Sequence, residues 1–271
     1  MENNNSALET LKSVFASATI LIAFGLAYAI YIGILGNPAN FEDNNPENNP
    51  INILGTVHKG GIAIVPVLIA INIIVLAFSI ERFITIFKAK GKGRVTSFIK
   101  NIRSFISNNQ LDAAISACDE QKGSLANVVK SGLEKYKLVQ NDSSLSKEQK
   151  VESIQKELEE TTALELPMLS KNLVILSTCA SIATLVGLIG TVFGMIRAFG
   201  ALAQAGSPDT VALATGISEA LVNTALGIIA SAIAIVMYNF FTTKIDAITY
   251  GMDEAGFSIV KTVSVQNEVA A

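Results

Sequence analysis

Leu173 to Ala198 reads LVILSTCASIATLVGLIGTVFGMIRA, and Val211 to Phe241 reads VALATGISEALVNTALGIIASAIAIVMYNFF. Each exceeds the roughly 20 mostly apolar residues that an α-helix needs to cross a bilayer. Only Phe199 to Thr210 separates them, with Gly206, Ser207 and Pro208 inside the link. A link so short predicts an antiparallel transmembrane hairpin. Within the first stretch Ser177, Thr184 and Thr191 recur every seven residues and share one face, with about 20° of drift per step. Ala180, Gly187, Gly190 and Gly194 lie close to that face. In the second, Gly216, Ala220, Thr224, Gly227 and Ser231 keep helical spacing. Glu219 and Asn223 are four apart, so they are neighbours on the helix.

Small residues let membrane helices approach closely, so the Gly, Ala and Ser stripe reads first as helix packing. A threonine in such a helix is ordinarily satisfied by the carbonyl four residues back. Glu219 is different. A carboxyl at mid-helix costs about 2.5–3.5 kcal/mol to insert, and such residues mark ion paths or buried partners. The alternative is a structural tether near the outer surface, because Glu219 lies early in its helix. Arg197, at the outer end of the preceding helix, reads as a cation that snorkels to the interface, with a local partnership to Glu219 as the alternative.

Composition supports the membrane reading of the whole chain. Of 271 residues, 50% are apolar and 16% charged, against about 25% charged in soluble domains. The mean hydropathy is +0.46. Two further stretches are long and apolar enough to span, Val14 to Leu35 and Gly61 to Ile80, the second with Pro66 near its start. Lys88, Lys90, Lys92, Arg94, Lys100 and Arg103 follow the second stretch with no acid among them, whereas Gly36 to Gly60 holds Lys59 as its only Lys or Arg. The positive-inside rule then puts the long middle segment and both termini in the cytoplasm and the two short loops outside. The predicted organisation is an N-terminal span (about 14–35) with an Asn-rich outer loop over 1–60, a second span over 61–88, a cytoplasmic helical domain over 89–171, the hairpin over 172–245 and a cytoplasmic tail over 246–271. A cleaved leader is the competing reading of residues 1–35, since Ala27-Tyr28-Ala29 resembles a cleavage site. Glu2, Glu9 and the length of the apolar run favour a span.

The middle segment is predicted helical. Val95, Phe98, Ile99, Ile102 and Ile106 recur at helical spacing. Asn109 is placed to cap the next helix, whose apolar face is Leu111, Ala114, Ile115 and Cys118. Leu125, Val128, Val129, Leu133 and Tyr136 form a third stripe. Ser146 and Gln149 match a capping box. They open a long helix through Val151, Ile154, Leu158 and Thr161 that Pro167 should kink. The basic run over 88–103 reads as a topology anchor at a lipid surface. A dedicated lipid or nucleic-acid site is the alternative.

Several functions are disfavoured. Twenty basic and twenty-three acidic residues, formally −3, make no polycation of the kind that binds nucleic acid. A single histidine, His58, leaves no His-based metal cluster or Ser-His pair, and Cys118 and Cys179 make no disulfide framework. No phosphate-binding glycine motif occurs. The expectation is therefore a non-enzymatic protein without a cofactor, whose work comes from an ion gradient. One proton crossing roughly 150 mV releases about 3.5 kcal/mol.

Gly187-Leu-Ile-Gly-Thr191-Val-Phe-Gly-Met-Ile196, followed by Ile217-Ser-Glu-Ala-Leu-Val-Asn-Thr224-Ala-Leu-Gly227, closely resembles the MotA/TolQ/ExbB proton-channel family, its ExbB/TolQ branch in particular. Glu81-Arg82, closing the second span, also looks like that branch, as does the order of span, helical domain and hairpin. The resemblance covers roughly residues 61–245. It implies an all-α inner-membrane protein with a three-span core and an additional N-terminal span. It further implies a homopentamer around two copies of a single-span ExbD/TolR-like partner whose membrane aspartate carries the proton. Thr191 and Thr224 would line the pore opposite that aspartate, and Glu219 would be the hairpin glutamate. Thr184 and Asn223 join them as candidate pathway residues. Gly187, Gly190, Gly194, Gly216 and Gly227 are then packing positions, and Glu81, Arg82 and Arg197 charges at the membrane edge. The family often carries Pro where Thr184 stands, so the bend there should differ. The implied function is an ion-driven motor subunit energising outer-membrane transport through a TonB-like protein. A TolQ-like envelope motor, a flagellar-type stator and a non-conducting scaffold are the alternatives.

Overall fold

A computed structural model describes residues 2–203 and 209–269. It contains nine α-helices among the described residues: α1 (Glu2–Ile30), α2 (Ile53–His58), α3 (Val65–Ala89), α4 (Val95–Ser107), α5 (Leu111–Gln121), α6 (Ser124–Val139), α7 (Lys147–Ser170), α8 (Leu173–Leu202) and α9 (Thr210–Val269). No strand forms there beyond one isolated bridge between Phe41 and Pro50. Stretches long and apolar enough to cross a membrane lie in Ala16–Leu35, Val65–Ala89, Lys147–Leu202 and Thr210–Val265. The chain is therefore an all-α, multi-pass membrane protein. The expected turn at Gly206, Ser207 and Pro208 lies outside the described residues.

The chain divides into two compact units, Met1–Ile80 with Asn172–Tyr238, and Glu81–Lys171 with Asn239–Ala271. In the first unit α1 runs into a π-helical turn over Tyr31–Leu35, which ends at Gly36. Ala23, Ala27, Tyr31 and Leu35 are buried, and Tyr31 and Leu35 join Val65 of α3 in an apolar cluster that also takes in Leu226 of α9. The Asn-rich loop is a folded element. Asn37 caps a 3-10 turn, and buried Asn40 donates from Nδ2 to the carbonyls of Ile34 and Leu35 at 2.7 and 3.0 Å. Asn52 donates to Asn40 Oδ1 at 2.9 Å and caps α2 by accepting from the Gly55 amide. Amide side chains suit this work because each supplies two donors and an acceptor to a backbone that has no ladder of its own. Pro66 falls in the first turn of α3, where a missing N–H leaves no bond unmade.

The second unit is a bundle of α4 to α7 and the C-terminal half of α9. Phe98, Ile99, Ile102 and Ile106 of α4, and Leu125, Val128, Val129, Leu133 and Tyr136 of α6, are buried as their spacing demands. The capping box of Ser146 and Gln149 opens α7. Gly132 of α6 brings α7 close: a Cβ there would meet Leu158 Cδ2 at 2.5 Å. One sequence expectation differs from what forms. Asn109 does not cap α5. It takes a left-handed conformation (φ 57°) that closes α4, and Gln110 stands at the N-cap without a side-chain bond. α7 carries Pro167 inside it and runs on to Ser170, and the chain leaves helical geometry at Lys171 and Asn172, the latter at φ 65°. The tail expected after the hairpin is helical as far as residue 269. α9 continues to Val269 and buries Phe241, Ile245, Ile248, Met252, Ala255, Ile259 and Val263. Those positions are spaced three and four apart, an amphipathic stripe that pulls the segment into the bundle.

Candidate functional site

The hairpin of the first unit is a seam at which two backbones touch. A Cβ on Gly194 would lie 2.7 Å from the Gly216 carbonyl, and one on Gly216 would lie 2.8 Å from the Gly194 carbonyl. Further along, a Cβ on Gly187 would meet the Asn223 carbonyl at 3.0 Å and Gly227 Cα at 3.2 Å, and one on Gly227 the Ala183 carbonyl at 2.6 Å. The pairing runs antiparallel, from Gly194 with Gly216 to Ala180 with Ser231, whose hydroxyl donates to the Ala180 carbonyl at 2.6 Å. Without side chains between them the helices gain dispersion contact along several turns, the main attraction available between helices in lipid. Thr191 and Thr224 face each other across this seam, hydroxyl to hydroxyl. Thr191 Oγ1 also donates to the Gly187 carbonyl at 3.2 Å, the local bond expected of a membrane threonine. Both side chains are half-buried. Large apolar side chains on the flanks, among them Leu188, Val192, Ile196, Leu221 and Ile228, are exposed on the single chain.

Glu219, five residues before Thr224 in α9, is buried and is held by Arg197. One guanidinium nitrogen donates to both carboxylate oxygens, at 2.6 and 2.7 Å. The acid is 5% exposed and the arginine 57%. Of the two roles open to Arg197 from sequence, the structure shows the local partnership. An ion pair with one member buried is favourable where the alternative is a lone charge in a poor solvent. Asn223, on the same face as Glu219, is fully buried against Gly190, and its Nδ2 donates to the Gly60 carbonyl at 2.9 Å. Its Oδ1 has no partner. Gly61, at φ 99°, is a position where a Cβ would run into Glu219 Oε1. The loop before α3 therefore closes over both residues.

Thr184 is half-buried but is not part of the hydroxyl pair, and Ser177, which shares its sequence stripe, is exposed. Glu81 and Arg82 lie in the second unit. Arg82 is 2% exposed, bonds Glu81 through Nε and Nη2 at 2.6 and 2.5 Å, and donates from Nη1 to the Leu169 carbonyl at 3.1 Å. It clamps the end of α7 from a buried position. Gly60, Gly61 and Tyr31 escaped the sequence reading. The glycine pair ahead of a span was the visible signal, but its partner lies some 160 positions away. Among the described residues no group of His, Cys, Asp and Glu could hold a metal.

Fold and site together define a polytopic helical membrane protein whose close-packed hairpin carries paired hydroxyls beside an ion-paired carboxylate. The family model described as "MotA/TolQ/ExbB proton channel family" matches residues 120–254, which include α6 to α8 and most of α9. The chain is 30% identical to the biopolymer transport protein ExbB of Pseudomonas putida over 202 residues, 72% of this chain and 60% of that protein. It is 38% identical to the Tol-Pal system protein TolQ of Haemophilus influenzae over 84 residues, 31% of this chain and 37% of that one. It is 41% identical to the ExbB of Salmonella typhimurium over 70 residues, 26% and 29% of the two chains. The chain belongs to the MotA/TolQ/ExbB family, and these relatives place it with the ExbB and TolQ branch. The matches span less than two thirds of the length of each of these three relatives.

Proposed function

We propose that this chain is an ExbB-like subunit of an ion-driven motor in the inner membrane, and that it energises TonB-dependent transport across the outer membrane. The observation that carries the reading is the hydroxyl pair of Thr191 and Thr224, set in a glycine-lined seam of the same hairpin that holds the Arg197–Glu219 ion pair. Hydroxyls donate and accept without adding a charge, so they can hand on a proton or solvate a passing carboxyl without trapping it. In this reading the pair faces the membrane aspartate of an ExbD/TolR-like single-span partner. The exposed apolar flanks of α8 and α9 are contact surfaces within a homopentamer, and the proton motive force supplies the work. The second unit and both termini lie in the cytoplasm, with the Asn-rich loop on the opposite side.

Thr191→Val and Thr224→Val test this. Each swaps a hydroxyl for a methyl of similar volume. Both variants should insert, assemble with an ExbD-like partner and lose energised uptake. Normal uptake together with intact detergent resistance in the two variants would remove the assignment and leave a packing scaffold in its place. A TolQ-like role is the second reading, favoured by the matches to TolQ proteins. Under it the Thr variants spare uptake of TonB-dependent cargo but leave cells sensitive to detergent.

A further inference from the structure

The additional N-terminal span and the Asn-rich loop lie outside the three-span pattern, yet they reach the hairpin at its most polar point. Three contacts make the connection. Tyr31, the first residue of the π-helical turn that continues α1, donates its hydroxyl to the His58 carbonyl at 3.0 Å and stacks on the His58 ring at 4.4 Å between centroids. That same carbonyl accepts the Gly61 amide at 3.2 Å, so Tyr31 and Gly61 are tied to one atom. Gly60 and Gly61 then enter the hairpin. Gly60 accepts from buried Asn223, and a Cβ on it would lie 3.0 Å from Val222 Cγ1. Gly61 leaves the space that the Glu219 carboxylate fills, and Arg197 Nη1 lies 3.7 Å from where a Cβ on Gly61 would stand. A side chain at residue 61 would displace the carboxylate, and L-residues rarely adopt its φ of 99°.

We propose that Gly60, Gly61 and Asn223 form a strap that positions Glu219 in its ion pair, and that α1 holds the strap through Tyr31. The extra span is then a working part of the hairpin site rather than an appendage to it. The unbonded Oδ1 of fully buried Asn223 fits this role. An isolated buried amide oxygen is costly, and Asn is tolerated there because its Nδ2 makes the bond that fastens the loop. Asn223 and Tyr31 are positioning residues. They act on Glu219 through the loop and meet no ion themselves. The significance of the site rests on the motor reading, but the strap itself does not.

The test reads Glu219 directly. Full-length protein in native membranes is treated with a hydrophobic carbodiimide, and labelling of the Glu219 peptide is followed by mass spectrometry. Asn223→Ala removes the loop bond. Tyr31→Phe removes a single oxygen and leaves the stacked ring, so it serves as a variant that folds. The unstrapped fraction should rise about tenfold in Asn223→Ala, the equivalent of one lost bond of about 1.4 kcal/mol, with a smaller rise in Tyr31→Phe. Wild-type labelling rates in both variants would overturn the proposal. Because labelling needs no energised uptake, failure here is distinct from failure of the motor reading, which the Thr191 and Thr224 variants test.

Discussion

Gly227→Ala is the most demanding perturbation of the hairpin for its size. The added Cβ would lie 2.6 Å from the Ala183 carbonyl oxygen and 3.0 Å from Gly187 Cα. Both are backbone atoms of a long helix and cannot rotate away. Ordinary contact begins near 3.4 Å, so α8 and α9 must part by about 0.8 Å at this level. Overpacking of this kind costs about 1–3 kcal/mol. Parting the seam also loosens the Thr191–Thr224 and Ser231–Ala180 bonds, at about 0.6 kcal/mol each for interhelical bonds in membranes. Against this, replacing Gly by Ala inside a helix gains about 1 kcal/mol in conformational preference. The expected balance is a loss of about 2 kcal/mol. Gly25→Ala and Gly200→Ala supply the reference, because a Cβ at either meets nothing within 4 Å. They should be neutral or slightly stabilising. The assay is SDS-driven unfolding in mixed micelles, comparing midpoints for the three variants and the parent. A midpoint for Gly227→Ala equal to that of Gly200→Ala would refute backbone contact as the basis of the hairpin.

Two other predictions concern groups outside the spans. Burial, with a smaller contribution from Lys59, holds the His58 imidazole below its ordinary pKa of 6.5. Its charged form is therefore disfavoured in the folded loop. The unfolded loop binds the extra proton first, so loop stability is fully present above the unfolded value and falls as pH drops below it. Limited proteolysis of the loop should accelerate between about pH 7.5 and about pH 5.5, and His58→Phe, stacking on Tyr31, should abolish the pH dependence. In the second unit burial pushes the Cys118 thiol up to about 12. Maleimide should leave Cys118 unmodified in the native protein at about pH 8 and modify it readily once SDS opens the bundle, whereas fast native labelling would contradict its burial.

The spans, the hairpin and most bundle stripes were legible in the sequence because they are periodic. Val128, Val129 and Leu133 declare their buried face by spacing alone. The capping box at Ser146 was readable for the same reason: its partners are three residues apart. What escaped was of two kinds. The stripe from Phe241 to Val263 is as regular as any other, but it follows a span directly and was passed over as a tail. The link from Gly60 to Asn223 has no local signature, since a backbone carbonyl meets an amide more than 160 residues later. Asn109 shows how far residue type misleads. Asn favours both N-caps and left-handed positions, and here the end of α4 claimed it. In the site, sequence separated Glu219 from the packing residues on energetic grounds. For Arg197 it favours the interface over the partnership with Glu219 that forms, because that pairing depends on where the two helix ends meet.

The Asn-rich loop carries one more consequence. Its inner fastenings, from Asn37, Asn40 and Asn52, are bonds between neutral amides and backbone or amide groups. Attractions between exposed charges fade as ionic strength rises, with a screening length of about 10 Å at 0.1 M salt shrinking to about 3 Å at 1 M. Dipolar bonds of this kind carry no net charge for counterions to shield. A loop fastened in this way keeps its shape in dilute and in saline surroundings alike, and with it the seat it offers to the membrane helices beneath.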